Sequence, residues 1–306
     1  MCYITVCTPT YNRAYCLERP FNSLLRQTFK DFEWIVIDDG STDNTSEIIE
    51  GFKKKAEFKI VYVKQSNKGR AAALNESYNH IKSKYVINLD SDDELVPDAL
   101  QKIHDIWENI PQEDYDRFWC ISGQCIDSQT KNLVSGVWPQ GINELKGKRQ
   151  RKKIIKYKKG EKSCCRKLEI LQQFPFPQLP DTKFVPEDMV WERINKKFDQ
   201  YCTNEVFRIY YKNSSDSLSS GKGYNLTRKF SYYHLTLMYL NDFFDEFFYN
   251  KTVRLSILHL PRLAILTKKK YKTTMKQINK WYKRLLVSLS WPFIYLFVKI
   301  YYRNKF

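Results

Sequence analysis

The sequence predicts an α/β fold, a mainly parallel sheet with helices on both faces, joined to a mostly helical, basic C-terminal region. Three observations lead there. The first 110 residues alternate strand and helix patterns in the order β-α-β-α-β-α-β. Polar, acid-containing segments recur directly after those strands. The charge balance breaks near residue 222: residues 222–306 hold 17 Lys and Arg against 3 Asp and Glu, a net of +14 out of +17 for the chain.

Tyr3 to Thr8 reads as a strand and Pro9-Thr10-Tyr11-Asn12-Arg13 as a loop; Leu17 to Gln27 fits a helix. Glu33 to Asp38 is a second strand, ending in Asp38-Asp39-Gly40-Ser41-Thr42-Asp43. Asn44 is placed to cap the next helix, with Glu47 three residues on. Lys59 to Lys64 is a third strand, and Asn67-Lys68-Gly69-Arg70 a turn. Ala71 to Ile81 carries Leu74, Tyr78 and Ile81 at helical spacing. Tyr85 to Leu89 is the fourth strand, and a helix over 98–109 follows Pro97. Arg117 to Ile126 and Leu133 to Trp138 read as a hairpin in which Cys120 and Cys125 are packing residues. The expected division is 1–221, in halves 1–110 and 111–221, followed by 222–306.

In open parallel sheets, ligands sit beyond the carboxyl ends of the strands. Three polar segments follow strand ends here: Pro9–Arg13, Asp38–Asp43 and Asp90–Asp93. The topology brings them to one edge. Asp90, Asp92 and Asp93 lie within four positions, so their mutual repulsion should raise one pKa unless a positive charge sits among them. A divalent cation meets that need, because Mg²⁺ and Mn²⁺ take hard oxygen ligands and complete their shells with water and phosphate. A solvated acidic turn is the plainer account of the same residues. No Gly-x-Gly-x-x-Gly follows the first strand and no Walker loop is present, so phosphate must be held by metal and side chains.

Thr8-Pro9-Thr10-Tyr11-Asn12-Arg13, Asp38-Asp39-Gly40-Ser41-Thr42-Asp43, Asn67-Lys68-Gly69 and Asp90-Ser91-Asp92-Asp93 resemble the successive motifs of the family 2 glycosyltransferases with the GT-A fold, of the bacterial surface-polysaccharide type. The likeness is strong over 1–110 and weaker to about 221. It implies a GT-A catalytic domain over 1–221, with a nucleotide-binding half and an acceptor half. It implies that Pro9 and Tyr11 lie against the nucleobase, that Asp39 accepts a hydrogen bond from the base, usually uracil, and that Asp90 faces ribose or base. Thr10, Arg13, Gly69, Arg70 and Ser91 join the nucleotide site on the same grounds. Asp92 would bind Mn²⁺ or Mg²⁺ bridging the diphosphate, and Asp93 would support the donor sugar. Glu187-Asp188 falls where the family has its Glu-Asp motif, so Asp188 is the implied base and Glu187 a donor-sugar residue. As structure alone, the two acids would fit the positive end of a helix entered through Pro186. The Gln-x-x-Arg-Trp motif of processive relatives has no counterpart, which favours single-sugar transfer.

Lys148 to Lys159 holds eight basic residues and no acid, either a solvated loop or a contact for a lipid diphosphate or anionic membrane. Tyr210 to Gly223 reads as a linker or a lid. After Tyr224, apolar helical stretches alternate with basic patches, and Leu285 to Val298 is uncharged but interrupted by Trp291-Pro292. Spanning a bilayer takes ~20 apolar residues, so an in-plane or re-entrant anchor on an anionic membrane is expected. The anchor should be separable: a chain ending near Lys268 is expected to stay soluble and keep donor binding.

No leader is read before residue 1, and eight cysteines without Cys-x-x-Cys spacing suggest reduced thiols. The expected setting is cytoplasmic, peripheral or monotopic on the inner face of the plasma membrane. The expected activity is inverting transfer of one hexosyl or N-acetylhexosaminyl group from a nucleotide sugar, UDP-linked, to a hydroxyl of a glycan acceptor, with a polyprenyl-diphosphate-linked acceptor as one setting. The alternative from another class is a nucleic-acid-binding protein with a degenerate nucleotide fold, resting on the basic aromatic tail; the uncharged run Leu285–Val298 speaks against it, and no nucleic acid is expected as partner. A sugar nucleotidyltransferase is a third reading, disfavoured because no glycine-rich, Arg-containing loop follows the first strand.

Overall fold

The computed structural model describes residues 2–139, 144–145, 160–212 and 224–301. The basic run Lys148–Lys159, and 213–223 of the lid-or-linker segment, lie outside the described residues. The chain forms two compact units: Met1–Phe176 with Val190–Ser215, and Pro177–Met189 with Asp216–Phe306. The expected boundary at 221/222 differs from this chiefly in that Pro177–Met189 joins the second unit.

In the first unit, β1 (Ile4–Thr10), β2 (Phe32–Asp38), β3 (Lys59–Lys64) and β4 (Tyr85–Asn88) are parallel, in the order β3-β2-β1-β4. Every residue of β1 and β2 is buried, as expected of a sheet covered on both faces. Because side chains alternate, Ile4, Val6, Trp34, Val36, Tyr85 and Ile87 share one face. They form one core with Phe21 and Leu24 of α1 (Glu18–Leu25), Ile49 and Phe52 of α2 (Thr45–Lys55) and Leu100, Ile103 and Trp107 of α4 (Ala99–Asn109). Each large side chain so buried stabilises the fold by about 1.5–3 kcal/mol. On β1 and β2 also packs α3 (Arg70–His80), through a stripe that includes Ala73, Leu74 and Ser77, and α6 (Leu168–Gln173) lies against α3.

Past β4 the sheet turns mixed. It continues through β8 (Lys162–Lys167), β6 (Phe118–Asp127), β9 (Asp199–Tyr210) and the short β5 (Glu94–Leu95), while β7 (Glu144–Leu145) pairs with β9 off this path. Only the turn end of the predicted hairpin forms: the Asp127 amide donates to the Asn132 carbonyl and the Val134 amide to the Cys125 carbonyl, both at 2.9 Å, and no strand extends to Trp138. Leu133 makes a single bridge to Ile126, and β6 pairs instead with β8 and β9. β8 carries no strand signature, its sequence Lys-Ser-Cys-Cys-Arg-Lys being too polar to suggest burial. The fold accommodates its charges: Lys167 donates to the Tyr115 carbonyl at 2.7 Å at the end of α5 (Gln112–Tyr115) and lies 3.4 Å from that ring's centroid, and Arg166 stacks on Trp191. Asn44 stands at the start of α2 without a side-chain cap. Asp43 takes that part, accepting from the Thr45 amide at 3.2 Å and its hydroxyl at 2.6 Å.

In the second unit, Leu179, Val185 and Met189 pack with Leu235 and Met238 of α8 (Tyr224–Asp242) and with Phe243 and Val253, which is why Pro177–Met189 belongs there. A second cluster joins Tyr233 and Leu240 to Leu260 and Ala264 of α9 (Lys251–Leu266), Met275 of α10 (Tyr271–Gln277), Ile278, and Val287 of α11 (Trp281–Tyr301). Pro292 lies inside α11, so the apolar run is one helix rather than an interrupted one. The expectation of a separable anchor is corrected by the same cluster, because everything after Lys268 includes Met275, Ile278 and Val287 of its core.

Candidate active site

The parallel register sets the site. Thr10 pairs with Asp38, the Asp39 amide donates to the Thr10 carbonyl at 2.8 Å, and the Leu89 amide donates to the Cys7 carbonyl at 2.9 Å. The three loops that follow β1, β2 and β4 therefore leave the same edge. They are tied together. The Asn12 amide donates to Ser41 Oγ at 2.8 Å, the Thr42 amide donates to Asn12 Oδ1 at 2.7 Å, and Arg13 Nη1 reaches Asp92 Oδ2 at 2.9 Å. Pro9 and Thr10 are buried at the end of β1, and Tyr11 is 46% exposed, open to stacking by a planar ligand.

Asp39 is buried and holds the turn after β3. Its Oδ1 accepts from Gln65 Nε2 at 2.6 Å and the Lys68 amide at 2.8 Å; its Oδ2 accepts from the Gly69 amide at 2.7 Å. A carboxylate has about four lone-pair sites, so one direction remains for a ligand N–H. Two glycines permit this arrangement. Gly69 has φ +94°, and at Gly40, φ +87°, an added Cβ would come within 2.9 Å of the Asn67 amide nitrogen.

The acidic stretch is already supplied with positive charge. Arg70 Nη2 lies 2.8 Å from Asp90 Oδ1, and Arg208 Nη1 lies 3.1 Å from Asp90 Oδ2. Burial pushes the Asp90 carboxyl up, but the Arg70 and Arg208 guanidiniums outweigh it and hold its pKa at about 2. Asp93 is buried. Its Oδ1 accepts from the Tyr211 amide at 2.9 Å, and its Oδ2, 3.3 Å from Arg208 Nη1, has no hydrogen-bond partner among the described residues. Burial raises the Asp93 pKa to about 7 despite Arg208, with the Asp90 charge adding to the rise. Repulsion within the triplet thus does not by itself require a metal, as the spacing suggested; three arginines face it. Ser91 is buried, with Arg13 Nη1 3.3 Å from its hydroxyl.

Arg208 was not foreseen. It is buried on β9, where Leu95 of β5 and Cys125 of β6 are its strand partners, and it also pairs with Glu161 at 2.7 Å. Its only sign in the sequence is a charge inside the apolar run Val206-Phe207-Arg208-Ile209. Arg19 was also missed: its Nη1 donates to the Asp92 carbonyl at 2.5 Å while its guanidinium stacks on Tyr211.

Among the described residues no cluster of three His, Cys, Asp or Glu could hold a metal alone. The donors nevertheless fit a metal–diphosphate. Mg²⁺ and Mn²⁺ are commonly held by one or two carboxylates plus phosphate oxygens; Arg13 Nη1 lies on Oδ2 of Asp92, and among the described residues Oδ1 remains as a hard donor. Glu187 and Asp188 lie in Pro177–Met189 of the second unit. Asp188 opens α7 (Asp188–Asn195), and the Met189 amide donates to the Pro186 carbonyl at 3.0 Å.

Residues 5–167 match the sequence profile described as glycosyl transferase family 2. The chain belongs to this family. That decides among the three readings of the sequence in favour of a glycosyltransferase. The GalNAc(5)-diNAcBac-PP-undecaprenol beta-1,3-glucosyltransferase of Campylobacter jejuni is 26% identical over 226 residues, 74% of this chain and 70% of that protein. Other relatives match more locally, at 37% identity over 33% and 14% of their own lengths. Among solved structures, S. aureus TarS 1-349 in complex with UDP-GlcNAc superposes with a TM-score of 0.57 at 16% identity, covering 99% of this chain and 92% of that one. The mannosyltransferase PcManGT of Pyrobaculum calidifontis, in complex with GDP-Man and Mn²⁺, gives 0.52 at 16% identity, covering 99% and 82%. The fold is GT-A, with a helical C-terminal region.

Proposed function

We propose that the chain transfers a single hexosyl or N-acetylhexosaminyl group from a UDP-sugar to a hydroxyl of a glycan carried on a polyprenyl diphosphate, with inversion, in surface polysaccharide synthesis at the inner face of the plasma membrane. The observation that carries the donor half is the tying of three strand-end loops into one edge through Asn12–Ser41 and Arg13–Asp92. The lipid-linked acceptor is supported by the undecaprenol-linked substrate in the name of the Campylobacter relative, and UDP by the TarS complex.

In this reading Tyr11 stacks on the base, and Asp39 accepts from it through its remaining lone pair. Asp90, paired with Arg208 and, before the donor binds, with Arg70, takes a ribose hydroxyl. Asp92 would hold Mn²⁺ or Mg²⁺, which would supply positive charge against the departing diphosphate. Arg13 and Arg70, released from Asp92 and Asp90, turn to the phosphates, and Asp93 and Glu187 face the sugar. Asp188 takes the acceptor's proton. The acceptor oxygen bonds to the anomeric carbon from the side opposite the diphosphate, and the carbon–phosphate-oxygen bond breaks with its electron pair leaving on the nucleotide. Calorimetry of UDP, GDP and their sugars with and without Mn²⁺ tests the donor half. UDP binding strengthened by Mn²⁺ is expected; GDP preference would overturn the UDP assignment, and binding of neither would overturn the donor site.

A further inference from the structure

In the second unit, α11 has two opposed faces. Lys283, Val287 and Val298 are buried, with Ser290, Trp291 and Ile294 half-buried between them, all on one helical stripe. That stripe is core. Val287 sits in the cluster of Leu260 and Ala264, Ser290 Oγ donates to the Ile257 carbonyl at 3.0 Å, and Lys283 Nζ donates to the Asn241 carbonyl at 2.9 Å. The other face is bare: Trp281, Leu285, Leu289, Phe293, Leu296 and Ile300 are exposed, Phe293 to 77%. No charge interrupts it between Arg284 and Lys299. A continuous exposed apolar face of this kind marks an interaction site.

The surroundings say what covers it. Tyr271 of α10 stacks edge-on against Trp291, with its hydroxyl 2.7 Å from Ser288 Oγ, so α10 borders α11. Exposed Lys268, Lys270, Lys272, Lys276 and Lys280 lie on and beside α10. No acidic residue follows Glu246 in the sequence. A second copy would bring the same uncompensated positive charge against itself. An anionic bilayer supplies both the apolar interior and the opposite charge.

We infer that α11 is a monotopic membrane-docking face, inserted in the plane of an anionic leaflet while its inner stripe stays in the protein core. By length and composition α11 also suffices to cross a bilayer, being 21 residues long with an 18-residue stretch of mean hydropathy 1.3. Packing argues against crossing. Spanning would strip the inner stripe from α9 or draw α9, with Arg254, His259 and Arg262, into hydrocarbon. The docking face goes beyond the transfer reaction and holds whether or not the acceptor is lipid-linked.

The test uses the full chain, tagged after Phe306, added to sealed vesicles of phosphatidylcholine with or without phosphatidylglycerol. It should float with the anionic vesicles and be only partly released at about 1 M salt, where screening lengths fall to ~3 Å. External protease should remove the tag. The triple variant Leu289→Asn, Phe293→Ser, Leu296→Asn should lose roughly tenfold or more of the bound fraction, since apolar burial drives insertion, with unchanged melting and UDP binding. Lys268, Lys270, Lys272 and Lys276 changed together to Gln should weaken binding to anionic vesicles only. A tag protected inside the vesicles would show spanning and overturn the inference. So would triple-variant flotation equal to wild type, or a lipid-free dimer that the triple variant dissolves with no vesicle binding by either protein. Loss of UDP binding with vesicle binding intact would count against the donor site alone.

Discussion

Arg208 Nη1 lies 3.1 Å from Asp90 Oδ2 and 3.3 Å from Asp93 Oδ2, so one buried guanidinium on β9 holds both ends of the acidic stretch after β4. This contact joins the mixed half of the sheet to the parallel half. Removing it leaves Asp93 without its cation and Asp90 with Arg70 alone. Arg208→Met should cost about 3–5 kcal/mol, the scale for breaking a buried ion pair. Urea denaturation measures it. A loss below about 1 kcal/mol would show that the carboxylates find other partners.

Asp92→Asn should leave stability near wild type, because its partner Arg13 can turn to solvent, and should abolish the strengthening of UDP binding by Mn²⁺. Calorimetry reads this directly. An unchanged metal effect would move the metal to another residue.

Asp188→Asn should keep UDP affinity and lower turnover by roughly 10²–10⁴-fold, the usual scale for a general base. Glu187→Gln should do less. Normal transfer by the Asp188 variant would mean that the proton goes elsewhere.

Lys167 provides a pH signature. Burial lowers its pKa to about 8 from the ordinary lysine range. Between about pH 8 and 10 the unfolded chain then binds the proton that the folded one has lost, so this group makes stability rise with pH. Denaturation midpoints of wild type and Lys167→Met should diverge in that direction from pH 8 to 9.5. Parallel curves would show that Lys167 stays charged in the fold.

A chain ending near Lys268 should aggregate or melt at lower temperature, since Met275, Ile278 and Val287 leave the second unit's core. Light scattering and thermal melts check this. A soluble product with an unchanged melt would restore the separable anchor.

The sequence by itself determined the parallel half and its edge. Its strands are apolar runs closed by polar loops, and βαβ connections have one hand, so local pattern and topology together bring Pro9–Arg13, Asp38–Asp43 and Asp90–Asp93 to one side. The glycines at 40 and 69 belong to that same local code. Tertiary structure alone decided the rest. Lys162–Lys167 becomes a strand because Tyr115 and Trp191 receive its charges, and no window of sequence contains those partners. Arg208 meets Asp90 from 118 residues away, through the pairing of β9 with β5. Whether Leu285–Val298 is core or surface was undecidable from composition, because the helix is both. Periodicity reports that an apolar face exists, whereas the packing of α9 and α10 selects which face is left bare.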